Sequence, residues 1–333
     1  MALRGAVLGL GQIGRNHARL LQGSERVEFA GAVDVAGDPY GALHDPAALH
    51  PSLDALLADG RPDFAVVALP TSEHGPAARA LAEAGVHVLV EKPLADSVAE
   101  GEEIIAACAA AGVRSAVGHV ERFNPALQDM RARMADGQLG DVFIISTERV
   151  GPFPDRVRDV GVVKDLATHD LDLVRWLAGH PVEALAAQTS HRMGHTHEDL
   201  VSVTGRLGDG TLFNVLVDRV TPTKVRRTRV VGERGMLLAD TLTADLTFYE
   251  NGTVATEWPA TRQLRGVSEG NAVRYALAKR EPLLVELETF VDLLEGDDGA
   301  PVVTLEEGLE TVRCAEAVLE SAERGETVRL PAP

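Results

Sequence analysis

Residues 5–22 read GAVLGLGQIGRNHARLLQ, and they decide the fold. An apolar run is followed by glycines at 9, 11 and 14, and then by the pattern of a helix. A GxGxxG element carries weight in this context, after a strand and opening a helix. Gly9 permits the tight turn, Gly11 lets the backbone approach a pyrophosphate, and Gly14 allows helix and strand to pack closely. Gln12 and Ile13 complete the loop, and the helix N-terminus behind it favours an anion. Asp34 closes AGAVD (30–34), twenty residues beyond Gly14. An acid there accepts hydrogen bonds from ribose hydroxyls and repels a 2′-phosphate. The following DVAGDPY (34–40) holds no arginine, so the expected cofactor is NAD and not NADP. Without a ligand, the same residues are a glycine turn and a strand-end acid of the kind turns favour.

Working outward, apolar runs at 27–34, 64–70, 86–93 and 114–119 alternate with helical patterns at 72–85 and 98–112. Such alternation predicts α/β architecture with a Rossmann doubly wound parallel sheet. The runs are continuously apolar, as strands covered on both faces should be. After residue 120 the pattern changes. Helices at 124–135 and 165–178 flank a strand at 142–150. Seven β-rich segments follow, at 182–192, 199–207, 211–220, 224–231, 236–241, 245–250 and 253–258. Strands joined by short turns predict an open, mostly antiparallel sheet in an α+β domain. Helices at 282–295 and 305–323 close the chain. The expected division is an NAD-binding domain over 1–120 and a substrate-binding and oligomerisation domain over 121–333. The last helices are expected to pack back toward the first domain.

The composition is that of an ordinary globular protein, with 333 residues, 45% hydrophobic and 25% charged. A net charge of −18 argues against a nucleic-acid or membrane-surface partner. The partner expected instead is a small molecule, with self-association into a homodimer or homotetramer. The N-terminal apolar run leads into the glycine motif, so it reads as a strand and not as a signal peptide. Two cysteines, Cys108 and Cys314, make no disulfide framework and fit a reducing cytoplasm.

Two further stretches carry chemistry. VHVLVEKPLA (86–95) runs a buried strand into Glu91, Lys92 and Pro93. Ligands of open α/β sheets lie beyond the carboxyl ends of the strands, so Lys92 is placed to hold a substrate hydroxyl. KDLATHDLDLVRW (164–176) crowds Asp165, His169, Asp170 and Asp172 onto one helix. At ~100° per residue, Asp165, His169, Asp172 and Trp176 share a stripe beside Leu166, Leu173 and Leu177. Asp165 and His169 stand at i and i+4, where an acid orients an imidazole. His169 is then a general base, and Asp172 supports the pair or contacts substrate. A solvated helix face and a zinc site are the competing readings; the zinc site lacks HExxH and further ligands. Asp170 has no role on this reading.

HRMGHTHED (191–199) reads as a polar loop in preference to a metal cluster, so no metal is expected. Arg122 and Asn124 in VERFNP, and Arg149, Arg156 and Arg158 in ERVGPFPDRVRDVG, suit a diphosphate, because guanidinium binds phosphate bidentately. Surface salt bridges are the plainer alternative. KVRRTR (224–229) reads as the outer face of a strand or an oligomer contact.

GLGQIG (9–14), VVALPTSEH (66–74), EKP (91–93) and DLATHDLD (165–172) together resemble the Gfo/Idh/MocA family of NAD(P)-dependent sugar and inositol oxidoreductases. The resemblance runs over essentially the whole chain, including PLLVELETFVDLLEG (282–296). It implies that Lys92, Asp165 and His169 are catalytic, and that Thr71, His74, Glu91 and Lys92 lie along the dinucleotide. Read without it, Ser72 is a helix cap and His74 a surface residue of the first turn. VGHVERFNPAL (117–127) and residues 148–177 are similar to the UDP-N-acetylglucosamine 3-dehydrogenase branch, which oxidises the sugar C3 hydroxyl. Lys164 and Asp155 depart from it, where an apolar residue and a proline are expected. Arg122, Asn124, Arg156, Arg158 and Asp172 are the substrate contacts this reading assigns. An inositol or simple-sugar dehydrogenase and a non-catalytic NAD sensor are the alternatives.

Overall fold

The structure, a computed structural model, describes residues 2–153, 160–194, 196–252 and 269–331. The chain opens with β1 (Leu3–Leu8), α1 (Gly14–Gln22), β2 (Val27–Val33), β3 (Leu49–His50) and α2 (Leu53–Gly60). It continues with β4 (Phe64–Val67), α3 (His74–Glu83), β5 (His87–Glu91), α4 (Val98–Ala111) and β6 (Ser115–Gly118). The six strands pair in parallel in the order β3-β2-β1-β4-β5-β6, the doubly wound topology expected. Ser52 caps α2 and Ser97 caps α4, each accepting a backbone N–H with its hydroxyl.

After residue 120 come α5 (Pro125–Ala135), β7 (Val142–Val150), α6 (Thr168–Ala178), β8 (Val182–Ser190), β9 (Leu200–Leu207) and β10 (Leu212–Asp218). Then follow β11 (Val225–Gly232), β12 (Gly235–Asp240), β13 (Asp245–Asn251), β14 (Glu269–Arg274), α7 (Pro282–Leu294), α8 (Leu305–Arg324) and β15 (Val328–Arg329). Nine strands pair in the order β14-β13-β12-β11-β7-β10-β9-β8-β15. β7 and β10 run parallel and every other pair is antiparallel. The strand expected at 253–258 lies outside the described residues. β14 and β15 were not foreseen, because one is polar and the other two residues long.

The chain divides into two compact units: Met1–Val120 with Leu283–Arg313, and Glu121–Pro282 with Cys314–Pro333. The sequence cut at 120 therefore leaves out α7 and the first half of α8, which belong with the first unit. In that unit, Leu287, Phe290 and Val291 of α7 join Val7, Phe64, Val66 and Leu89 in one core. Phe290 meets Phe64 edge-on at 5.8 Å.

In the second unit, Ile145, Val203, Phe213, Val215, Val230 and Leu237 line one face of the sheet, in a core with Leu127, Met130, Leu171, Val174 and Val318. The opposite face carries Leu212, Ile144, Val231, Met236 and Tyr249 in register across five strands. No helix among the described residues is long and apolar enough to cross a membrane.

Candidate active site

The glycine loop has the geometry its spacing implies. Gly9 takes φ 91°, a conformation L side chains rarely adopt. A Cβ on Gly14 would sit 1.8 Å from the Gly9 carbonyl oxygen, so only glycine fits. A Cβ on Gly11 would meet nothing within 4 Å, and Gly11 and Gln12 are exposed. Behind them α1 starts at Gly14, with Ile13 at the N-cap position, no side-chain cap and no acid in its first turn. An uncapped helix start behind an exposed glycine loop fits a dinucleotide pyrophosphate.

Asp34 accepts the Leu10 amide at 2.6 Å and the Ala36 amide at 2.7 Å. It thereby ties the end of β2 to the glycine loop, and each oxygen retains a lone pair for a ribose hydroxyl.

Lys92 follows β5 directly and is half-buried. Thr71 opens a short 3-10 turn after β4. His74 is not a surface residue: it is 1% exposed, with Nδ1 3.0 Å from the Pro93 carbonyl oxygen and Nε2 2.9 Å from that of Leu69. It joins the end of β4 to the turn that presents Lys92. Glu91 is also buried, and both its oxygens have protein partners, His17 Nε2 at 2.7 Å and the Lys92 amide at 3.2 Å.

In the second unit, the acidic segment departs from a uniform helix. Val163–Ala167 form one π-helical turn before α6 begins at Thr168. π turns recur at functional sites, and this one breaks the 100° spacing between Asp165 and the residues that follow. Asp170 and Asp172 are 2% and 1% exposed, so the stripe is not a solvated face. Leu166, expected inward, is half-buried.

Each acid has an arginine. Asp172 takes a bidentate pair from Arg122, with Nε at 2.8 Å and Nη2 at 2.6 Å. Asp170 accepts from Arg149 Nε at 2.5 Å, and Arg149 also holds Glu121 at 2.8 Å. Burial pushes the Asp170 carboxyl above its ordinary value, and the Arg149 guanidinium opposes that push. Asp165 pairs with Arg219, which also donates to the Val160 carbonyl at 3.0 Å. His169 is half-buried on the same segment.

Several of the expected substrate contacts have protein partners of their own. Arg122 and Asp172 hold each other. Asn124 caps α5 through the Ala126 amide at 3.1 Å, and its own amide donates to the Thr241 carbonyl at 3.1 Å. Arg149 is buried in an ion-pair network and is no surface salt bridge. Arg156 and Arg158 lie outside the described residues. Arg219, 3% exposed, was missed; its one signal was a charge ending the apolar strand LFNVLVD.

The histidine-rich loop is tied down by its acids. Glu198 accepts the Val163 amide at 3.0 Å and so anchors the π turn. Asp199 accepts the Arg192 and Met193 amides at 2.6 and 2.5 Å. His191 and His197 are exposed, and His195 lies outside the described residues. Arg226 of the basic stretch donates to the Val150 carbonyl at 2.7 Å, and Arg229 donates to Ser146 Oγ at 3.3 Å.

Residues 3–119 match the family model described as an oxidoreductase family with an NAD-binding Rossmann fold. Residues 127–238 match the GFO/IDH/MocA C-terminal domain. The chain is 30% identical to UDP-N-acetylglucosamine 3-dehydrogenase of Acidithiobacillus ferrooxidans, over 88% of each chain. It is 31% identical to myo-inositol dehydrogenase Hyg17 of Streptomyces leeuwenhoekii, over 96% of this chain and 97% of that one. The solved structure of UDP-N-acetylglucosamine 3-dehydrogenase GnnA from Acidithiobacillus ferrooxidans superposes with a TM-score of 0.82 at 28% identity, covering 97% of this chain and 99% of that one.

Proposed function

The chain belongs to the GFO/IDH/MocA family of NAD-binding oxidoreductases acting on CH–OH groups, and within it we propose a dehydrogenase of a nucleotide sugar. The substrate we assign is UDP-N-acetylglucosamine, oxidised at C3 to the 3-keto sugar. One observation carries the mechanism: the acids of the 163–178 segment are each engaged by an arginine, while His169 stands half-buried among them. Carboxylates held by guanidinium have their oxygens engaged by those donors, and an imidazole ordinarily titrates near neutrality.

The glycine loop and Asp34 would hold NAD, which would supply the acceptor for the hydride released from the C3–H bond. His169 takes the hydroxyl proton as that bond breaks. Asp165, held by Arg219, orients the imidazole and stabilises its cation. Lys92 holds the hydroxyl oxygen by hydrogen bond and charge. Arg156 and Arg158 are assigned to the diphosphate.

The test is NADH formation across UDP-sugars, inositols and simple sugars. UDP-N-acetylglucosamine is expected to give NADH. Silence with every UDP-sugar, with NADH from myo-inositol, would replace this reading with an inositol dehydrogenase, which the 31% identity to Hyg17 makes the second reading. NAD binding without turnover on any alcohol would leave a sensor.

We place the protein in a reducing cytoplasm on its two cysteines, Cys108 and Cys314, both buried and far apart in sequence. The apolar row Leu212, Ile144, Val231, Met236 and Tyr249 supports self-association into a homodimer or homotetramer through the sheet. Light scattering should give a multiple of the 35.4 kDa chain mass, and Met236→Glu with Tyr249→Glu should reduce it to the monomer. An unchanged mass would remove this face as the interface.

A further inference from the structure

The first unit holds a cluster of charge with no evident solvent contact. His17 of α1, Glu91 of β5 and Glu286 of α7 are 0%, 6% and 2% exposed. Each offers a ligand atom within 4.8 Å of the other two. Glu91 is fully occupied: His17 Nε2 lies 2.7 Å from one oxygen, and the Lys92 amide donates to the other at 3.2 Å. Gly118 of β6 makes room for it, because a Cβ there would stand 3.0–3.1 Å from the Glu91 carboxyl. Glu286 differs. Among the described residues, neither of its oxygens has a hydrogen-bond partner, and neither has His17 Nδ1.

Two carboxylates in one buried pocket cannot both keep their charge without compensation. A proton on Glu286 removes the second charge and leaves Glu91 anionic for His17 and the Lys92 amide. Burial, and next the Glu91 carboxylate, push the Glu286 carboxyl well above its ordinary value, in the same direction. An ionised Glu286 would repel Glu91 from both of its partners. Among the described residues, the titratable groups that face Glu286 are Glu91 of β5 and His17 of α1.

We propose that Glu286 is held as a neutral carboxylic acid and, with His17, positions Glu91 and through it Lys92. The cluster thus links the helix behind the glycine loop to the residue that holds the substrate hydroxyl. This rests on the role given above to Lys92. Glu286 and His17 touch no substrate; they are positioning residues.

The linkage has a definite sign. The unfolded chain loses the Glu286 proton near the ordinary value of 4.5, while the folded chain keeps it to higher pH. Folding stability therefore falls as pH rises through that window. Glu286→Gln cannot ionise and keeps the shape, so its melting temperature should exceed the parent's by a margin that widens as pH rises above the ordinary carboxyl value.

The decisive experiment combines infrared spectroscopy with kinetics on the full-length protein. The infrared difference between parent and Glu286→Gln at neutral pH should contain a protonated-carboxyl C=O band. Glu286→Ala should lower kcat by ~10²-fold, as a displaced catalytic group does. Glu286→Gln should restore most of that loss, and should hold kcat at alkaline pH where the parent declines.

A missing band overturns the proposal, as does unaltered kcat in Glu286→Ala. So does Glu286→Gln being as impaired as the alanine variant. Stoichiometric divalent metal in the purified protein, lost in Glu286→Gln, would make the cluster a cation site instead. Should Glu286→Ala fail to fold, the band and the alkaline profile of Glu286→Gln decide. The band needs no substrate, so a protein inactive on every sugar would sink the proposed function and still test the protonation.

Discussion

His169→Ala should lower kcat by roughly 10²–10⁴-fold, the contribution of a positioned general base, while the Kd for NAD stays within experimental error of the parent. The separation follows from where the residues lie. The glycine loop and Asp34 belong to the first unit, and His169 belongs to the second. Removing the imidazole leaves the three ion pairs of its segment standing: Asp172 with Arg122, Asp170 with Arg149, and Asp165 with Arg219. The π turn also keeps its anchor, the bond from the Val163 amide to Glu198. A loss of turnover in His169→Ala is therefore a chemical loss and not a collapse of the helix. Fluorescence titration with NADH and initial rates on the active nucleotide sugar measure the two quantities. Turnover at the parent's rate would withdraw the base assignment, and a parallel loss of NAD affinity would make His169 a binding residue.

What was legible in the sequence was what short-range chemistry dictates. The glycine loop follows from φ 91° at Gly9 and from the 1.8 Å contact that excludes any side chain at Gly14. Asp34 and five of the six parallel strands follow from local periodicity and strand-end chemistry; β3, two residues long, leaves no such pattern. The ion pairs were not legible. Arg149 and Asp170 are 21 residues apart, Arg122 and Asp172 are 50 apart, and Arg219 and Asp165 are 54 apart. Nothing in DLATHDLD says which distant guanidinium will enter beside it, so Asp170 looked purposeless. The π turn was hidden for a related reason. It is imposed where Glu198 meets the Val163 amide, and a count at 100° per residue cannot register that. The same limit hid Glu286. On the sequence it is one acid in VELETF; in the fold it faces Glu91 across 195 residues of chain (286 − 91).

Asp172→Ala tests the largest revision the structure makes to that reading. On the helical stripe, Asp172 was a candidate substrate contact; in the fold it is 1% exposed and bound by both donors of Arg122. Arg122 is itself 7% exposed, so removing the acid takes from a buried guanidinium the carboxylate it binds bidentately. Breaking one side of such a pair costs about 3–5 kcal/mol. For a protein of this size that lowers the melting temperature by on the order of 10 °C. Replacing both partners by apolar residues of similar volume removes the desolvation penalty together with the attraction, and is often neutral or better. Arg122→Met with Asp172→Leu should therefore regain most of the stability lost by Asp172→Ala alone. The packing around it should survive, because Arg131 still lies over the Trp176 ring at 4.8 Å. The double variant then separates the two roles. If the pair is structural, it melts near the parent temperature and turns over with the parent KM. If Asp172 or Arg122 also binds the sugar nucleotide, it melts near the parent temperature with a raised KM. An unchanged melting temperature in Asp172→Ala itself would contradict the buried pair, because a buried guanidinium that loses its bidentate carboxylate loses stability with it.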